Sequence, residues 1–325
     1  MLIKKKFKTV LLSLFLLIAG GLKAFSFELF QFSVAPKYAL QYGQMNEYVL
    51  YKNGQKMSEL NWPIDTTSLL GFNATMGWEM IFLETNCMWG FPHASGIMRD
   101  SDWMNQSDYG MKTDYSESSN CVKYLGNLEL RFGMNIKTWD FLYIRPYGAI
   151  CYERIEFSAD GGNYWYGDKS STGLSENVPY YDSRAKTGNF DSYGTVIEYK
   201  RETFTYNLGT ALNFRFLQRF SVTADFGLSI YSAINTIDHH CITKYYYLDK
   251  MEGLLKRYYL GAEVDVAIWK GLSAGTSFKF VYNSQMKGTD YKKKESDKKY
   301  SIDSNSNSAA SAYYYNIEFF LRYSF

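Results

Sequence analysis

Apolar and polar side chains alternate with a period of two over several segments of this chain, most clearly over 315–325. One set is apolar: Tyr315, Ile317, Phe319, Leu321, Tyr323 and Phe325. The other set is mainly polar: Asn316, Glu318, Phe320, Arg322 and Ser324. Because successive side chains of a β-strand point to opposite faces, this pattern predicts a strand with one apolar and one polar face.

The same alternation recurs at 127–134, 206–214, 222–230 and 258–268. A soluble β-sandwich encloses its apolar face, whereas a membrane barrel turns apolar residues toward lipid and encloses polar ones. The sequence therefore predicts an all-β fold, a transmembrane antiparallel up-and-down β-barrel of about ten strands. Such a barrel has little interior space, which disfavours a wide diffusion pore.

The predicted strands alternate between tight connections, near 137–139, 217–219 and 269–271, and long polar ones. The long connections cover approximately 49–57, 92–120, 159–195, 237–255 and 285–311. Outer-membrane barrels place short turns in the periplasm and long loops outside. With a periplasmic N-terminus, the long connections are expected on the extracellular side.

The first 26 residues have the features of a secretory signal peptide. Four lysines among the first eight residues precede the short apolar run 10–18, and cleavage is predicted near 24–26. The remainder, 27–325, is predicted to be a single barrel domain. Removing the signal changes 35 basic and 33 acidic residues to 30 and 33, which gives no reason to expect nucleic-acid binding. An aromatic content of 18% fits a barrel with aromatic girdles.

The four cysteines are Cys87, Cys121, Cys151 and Cys241. They have no C-x-x-C spacing and do not resemble a zinc site, so no metal is expected. An exported protein could pair them, but a barrel does not need a disulfide, and their state stays open.

Two short clusters offer chemistry: the pair Asp100 and Asp102, and the Asp-x-His dyad Asp238 and His240. A lone D-x-D is usually a solvated acidic loop, and a lone histidine is usually a surface residue. Here the aspartate pair follows the third of ten predicted strands and the dyad ends the seventh, so the two clusters should face each other across the extracellular rim. Unbroken alternation from 222–230 would turn Asp238 and His240 toward lipid, so a bulge or an early strand end is required.

At these residues the chain resembles the omptin family of outer-membrane endopeptidases, over essentially the whole mature chain. The most specific segment is M-R-D-S-D-W-M at 98–104. Supporting segments are T-D-x-S at 113–116, F-S-A-D-G-G-N-Y at 157–164, D-H-H at 238–240 before Tyr258, and two segments of a first hairpin at 43–49 and 58–62. The resemblance implies an aspartic-type endopeptidase that cleaves at basic residues without a metal or other cofactor.

The resemblance also implies roles for single residues. Asp238 would orient His240, His240 and Asp100 would hold the attacking water, and Asp102 would support Asp100. An imidazole is suited to proton transfer near neutrality, and two close carboxylates resist ionising together.

Three further residues are expected to bind substrate: Glu47, Met98 and Thr236. Glu47 matches an acid of the pocket for the basic residue before the scissile bond, where a carboxylate would pair with arginine. The second acid of that pocket is Thr236 here, which predicts weaker or altered selectivity for Arg and Lys.

Omptins also tend to require lipopolysaccharide, so such a requirement is a possibility here. Arg154 matches one lipid-binding position, and Lys256 could substitute for another. The expected partners are peptides or proteins with basic residues and outer-membrane lipid, and the chain is expected to be a monomer. The site is expected to face the extracellular side of the bacterial outer membrane. The alternative is a non-enzymatic barrel, an adhesin or inactive omptin relative that binds host proteins through its loops.

Overall fold

The computed structural model describes residues 30–325 with the exception of residue 218. The predicted signal peptide lies outside these residues. Strands make up most of the described chain and form one antiparallel sheet, in which the first and last strands pair with each other. None of the helices in this part of the chain is long and apolar enough to cross a membrane.

The strands have the following bounds: β1 (Phe30–Tyr51), β2 (Lys56–Trp78), β3 (Ile81–Gly90), β4 (His93–Asp102), β5 (Asp114–Met134), β6 (Ile136–Trp139), β7 (Leu142–Tyr166), β8 (Lys186–Asn189), β9 (Thr195–Phe216), β10 (Phe220–His240), β11 (Tyr245–Gly253), β12 (Arg257–Trp269), β13 (Leu272–Lys294), β14 (Ser301–Ile302) and β15 (Ser306–Ser324). A four-residue helix, Lys169–Thr172, lies between β7 and β8.

These strands occupy ten positions around a closed wall. β3 and β4 share one position because both pair with β2 and with β5. β11 and β12 share another because both pair with β10 and with β13. β6, β8 and β14 are short and each pairs with one strand. The predicted antiparallel barrel of about ten strands is therefore confirmed.

Two belts of exposed aromatic residues encircle the outer face. The turn-side belt contains Trp139, Phe141, Phe216, Phe220, Trp269, Tyr323 and Phe325. The loop-side belt contains Tyr42, Tyr124, Tyr152, Tyr206, Tyr258, Tyr282 and Tyr313. Along β15, the rise from Tyr313 to Tyr323 is roughly 33 Å, which a tilt of about 40° reduces to about 25 Å. The spacing of the belts matches the apolar band of an outer-membrane barrel.

The strands continue well past the loop-side belt, so the long connections are shorter than the sequence predicts. β4 and β5 cover most of the predicted loop 92–120 and leave 103–113 between them. β10 and β11 leave 241–244 of the predicted loop 237–255. The polar composition of these segments wrongly indicated loops. Beyond the lipid both faces of the wall can meet water, so polar side chains are tolerated on either face. The strands continue there because the backbone groups still need hydrogen-bond partners.

A bulge in β10 reverses the side-chain alternation, as the sequence required. In the pairing of β10 with β9, Ser229 faces Asn207 and Tyr231 faces Tyr206, which leaves Ile230 as the extra residue. One extra residue exchanges the inward and outward faces for the rest of the strand. The side chains that face inward beyond the bulge are Ser232, Ile234, Thr236, Asp238 and His240.

The bulge lies beside the break between β11 and β12, where β10 changes its partner. The hydroxyl oxygen of Ser229 accepts hydrogen bonds from the backbone N–H groups of Lys256, at 3.2 Å, and Arg257, at 2.9 Å. These bonds satisfy backbone donors that the interrupted ladder leaves without a carbonyl partner. The irregularity is thus a fixed part of the wall.

A stack of aromatic rings fills the barrel interior beyond the lipid band. The ring of Trp62 is fully buried and stacks on the rings of Phe157 and Tyr199. The distance between ring centroids is 5.3 Å in each of these two contacts. On the turn side of this stack lies a cavity of about 800 Å³ lined by charged residues such as Glu129 and Arg131. The filled interior at Trp62 supports the prediction that the barrel is not a wide pore.

Replacing Trp62 with alanine should lower the free energy of unfolding by about 3–5 kcal/mol, because a large buried ring leaves a cavity. Urea unfolding of the refolded barrel in detergent micelles measures this change. Trp62→Phe should cost much less, since the buried indole Nε1 makes no hydrogen bond within the described residues. Equal unfolding of wild type and Trp62→Ala would contradict the structural role of the stack.

Candidate active site

The structure brings the two predicted clusters to the same end of the barrel. Asp100 and Asp102 lie at the end of β4, and Asp238 and His240 lie at the end of β10. β4 belongs to the third wall position and β10 to the seventh, so the clusters face each other across the mouth. They are close enough that the charge of His240 lowers the pKa of Asp100 while that of Asp238 raises it.

Asp238 and His240 form a hydrogen-bonded dyad. Their side chains share a face of β10 because they are two residues apart, and Asp238 Oδ2 accepts a hydrogen bond from His240 Nε2 at 2.8 Å. Tyr247 packs edge-on against the imidazole, with ring centroids 5.1 Å apart. Burial alone would lower the pKa of His240, but the Asp238 carboxylate raises it to about 9.

Asp100 and Asp102 form a carboxyl pair on the opposite wall. Ser58 on β2 donates a hydrogen bond of 3.4 Å to Asp100 Oδ1. Burial raises the pKa of Asp100 to about 6. Burial and the neighbouring charge of Asp100 raise the pKa of Asp102 well above its usual range. The two carboxyls therefore ionise in separate steps.

A second group of carboxylates, which we call the acidic cluster, consists of Glu47, Asp249 and Asp290. Thr236 pairs with Asp249 across β10 and β11, and Asp249 pairs with Asp290 across β11 and β13. Thr236 Oγ1 donates a hydrogen bond of 3.0 Å to Asp249 Oδ2. Neither aspartate was predicted from the sequence, although a correctly placed turn at 241–244 would have set Thr236 opposite Asp249.

The acidic cluster is buried, and its carboxyls hold their protons more strongly than exposed ones do. Burial, followed by the charges of Asp238, Asp249 and Asp290, raises the pKa of Glu47 well above its usual range. Burial and the charge of Asp290 do the same for Asp249. Within the described residues, Glu47 Oε2 and Asp290 Oδ1 are buried without a hydrogen-bond partner. Such a group is suited to accept a cation, because a buried carboxylate is costly unless it is paired.

The omptin family model matches residues 30–325. The chain belongs to the omptin family. The family resemblance expected from the sequence is therefore confirmed, over the whole described barrel.

A crystal structure of the outer membrane protease OmpT from Escherichia coli is similar to this omptin. Its TM-score is 0.79 at 17% identity, with 93% of this chain and 99% of that chain covered. The translocator domain of the autotransporter NalP from Neisseria meningitidis has a TM-score of 0.32 at 8% identity, covering 92% of this chain and 91% of that chain. A search of curated proteins finds no significant match. The chain is an outer-membrane barrel with the fold of a protease.

The three expected substrate-binding residues of this omptin lie deep in the mouth. Glu47 is 3% exposed, and Met98 and Thr236 are fully buried. Met98 belongs to the same apolar cluster as Trp62, so it supports the floor of the mouth. Glu47 belongs to the acidic cluster, and Thr236 adjoins it through its hydrogen bond to Asp249.

The two expected lipid-binding residues lie on separate parts of the outer wall. Arg154 is two residues beyond Tyr152 of the loop-side belt, and its guanidinium forms an ion pair with Glu156. Lys256 lies in the break between β11 and β12, and its Nζ donates to the backbone oxygen of Gln285 at 3.3 Å. Arg154 and Lys256 are three wall positions apart, so the structure does not bring them into one contact.

Proposed function

We propose that this omptin is an endopeptidase that cleaves peptide bonds next to basic residues, with its site on the extracellular side of the outer membrane. The observation that carries the proposal is the Asp238–His240 dyad facing the Asp100–Asp102 pair across one mouth. The two groups supply a proton acceptor and a proton donor on either side of a space that a peptide can enter from the loop side.

In the proposed reaction, His240 and Asp100 hold a water molecule that attacks the peptide carbonyl. Because His240 Nε2 is hydrogen-bonded to Asp238, the other ring nitrogen is left to accept the proton of the water. The Asp238 charge then stabilises the imidazolium that forms. A protonated carboxyl of the Asp100–Asp102 pair is the source of a proton for the departing amine. The reaction needs no covalent nucleophile and no metal.

The preference for basic residues rests on the acidic cluster. Thr236 occupies the position where the family pattern has a second acid. From the sequence alone, the loss of this acid predicts a weaker preference for substrates with Arg or Lys before the scissile bond. Asp249 is the direct partner of Thr236 on the neighbouring strand, and its own side chain supplies a carboxylate in the same region. Together with Glu47 and Asp290 it offers a buried pocket of carboxyls that ionise on pairing with a guanidinium or ammonium group.

A lipopolysaccharide requirement is a further part of this proposal. Arg154 and Lys256 stand just beyond the loop-side belt, at the height where lipid headgroups begin. Phosphate groups of a lipid bind to arginine and lysine at such positions. Added lipopolysaccharide should therefore increase the cleavage rate of the refolded protein.

Asp100→Ala and His240→Ala should each lower kcat/KM on arginine-containing peptides by about 10²–10⁴-fold, because each removes a group that acts on the water. Fluorogenic peptides report cleavage by the refolded barrel, with and without lipopolysaccharide. His93→Ala, which changes a histidine of the wall outside the mouth, should keep wild-type activity. Equal activity in all three variants would reject the site, and an inactive wild type would favour the non-enzymatic alternative.

Asp249→Asn should reduce the preference for arginine over a neutral residue before the scissile bond by roughly 10–100-fold, because a charge-assisted hydrogen bond contributes about 1.5–3 kcal/mol. Competition between paired peptide substrates measures the preference. Asp108→Asn, in an exposed part of the connection 103–113, is the matched control. An unchanged preference in Asp249→Asn would assign the basic residue to another pocket.

The pH profile of kcat/KM should have an acid limb near 6 and an alkaline limb near 9. Between these values Asp100 and His240 together hold one proton. The reactive form is the minor arrangement in which His240 is neutral and the carboxyl pair carries the proton, so the rate falls when a second proton binds or when that proton is lost. Removing the imidazole in His240→Gln should move the acid limb to higher pH, because the charge of His240 lowers the pKa of Asp100. An acid limb that stays in place would show that another group controls it.

A further inference from the structure

A cluster of metal-ligating side chains lies on the outer face of the wall, behind the dyad. It consists of Glu198 on β9, His239 on β10 and Cys241, the first residue after β10. One donor atom from each residue lies within 4.8 Å of the donor atoms of the other two. The mechanism proposed above uses none of these three residues.

The strand geometry explains why these side chains converge. Glu198 is the direct partner of His239 across β9 and β10. Cys241 continues the ladder by one residue, since its backbone N–H donates to the carbonyl of Val196 at 2.9 Å. Residues two apart share a face, so the thiol of Cys241 emerges beside the ring of His239 while Asp238 and His240 point inward.

The distances match a tetrahedral zinc site. The distance from His239 Nδ1 to Cys241 Sγ is 3.6 Å, and the distance from His239 Nδ1 to Glu198 Oε2 is 3.3 Å. Metal–ligand distances of about 2.0–2.1 Å for nitrogen and oxygen and about 2.3 Å for sulfur give tetrahedral edges of roughly 3.6 Å and roughly 3.3 Å for these pairs. Two of the three edges therefore match a tetrahedral site, and the third, between the Cys241 thiol and the Glu198 carboxylate, is no longer than 4.8 Å.

The imidazole of His239 is held in the orientation that such a site needs. Its ring stacks on Tyr246 with centroids 4.0 Å apart and planes at 5°. Nε2 is buried without a hydrogen-bond partner in the described part of the chain, so Nδ1 is the nitrogen turned toward the other donors. The Glu198 side chain is 62% exposed, which leaves an approach for a hydrated ion.

We propose that Glu198, His239 and Cys241 bind a divalent transition-metal ion, Zn²⁺ in the first place, with water as the fourth ligand. Thiolate, imidazole and carboxylate form a donor set that zinc accepts, and four-coordinate geometry with one open position is common for it. The ion joins β9 to the end of β10 on the outer face. The site stands independently of the proposed protease activity.

The test is zinc binding to the full refolded barrel after treatment with a chelator and its removal. Titration calorimetry should show one Zn²⁺ per chain, and Co²⁺ should give the near-ultraviolet charge-transfer band of a cobalt–thiolate bond. Cys241→Ser, His239→Gln and Glu198→Gln should each weaken zinc binding by more than about tenfold, because even outer-shell changes cost 10–100-fold. Cys121→Ser, at another half-buried free thiol, should bind zinc as wild type does.

Glu198→Gln changes an exposed side chain and keeps its size, so this variant should fold like the wild type. Any loss of zinc binding in it then reports the loss of a ligand and not misfolding. Unchanged zinc affinity in Cys241→Ser and Glu198→Gln would overturn the proposal. Loss of zinc binding in Asp249→Asn would also overturn the proposal, because it would show that the ion occupies the acidic cluster. Absence of the cobalt–thiolate band in the wild type would also overturn it.

Discussion

The two-residue period of the β-strand is the constraint on which the rest of this structure depends. It lets one strand present apolar side chains to lipid and polar side chains to the interior, and it makes any change of face require an extra residue. Ile230 is that residue in β10. Below it the strand follows the requirements of the membrane, and above it Thr236, Asp238 and His240 turn into the mouth.

The parts of the fold that could be predicted were those encoded within single strands. The alternation of 315–325 and 222–230 was sufficient to predict the barrel, and the parity conflict at Asp238 was sufficient to predict an irregularity. The length of the strands beyond the lipid was not predictable, because both faces of the wall meet water there and the periodic signal fades.

The parts of the site that were missed depend on neighbours across strands. Asp249 stands opposite Thr236, and Glu198 stands opposite His239, through pairings that hairpin geometry sets. Neither pair is visible in the sequence until the turn positions are known. Asp100 and His240 were found because they belong to compact motifs whose strand order could be counted. Their roles, by contrast, come from the family resemblance and stay proposals.

The aromatic stack around Trp62 has a consequence for the cell that carries this barrel. The stack lies between the carboxylate-rich mouth and the charged cavity on the turn side, so buried rings separate two polar regions of the interior. Ions and nutrients would have to displace buried rings to pass from one to the other. Closure of this interior is thus a property of side-chain packing around Trp62 and not of strand number alone.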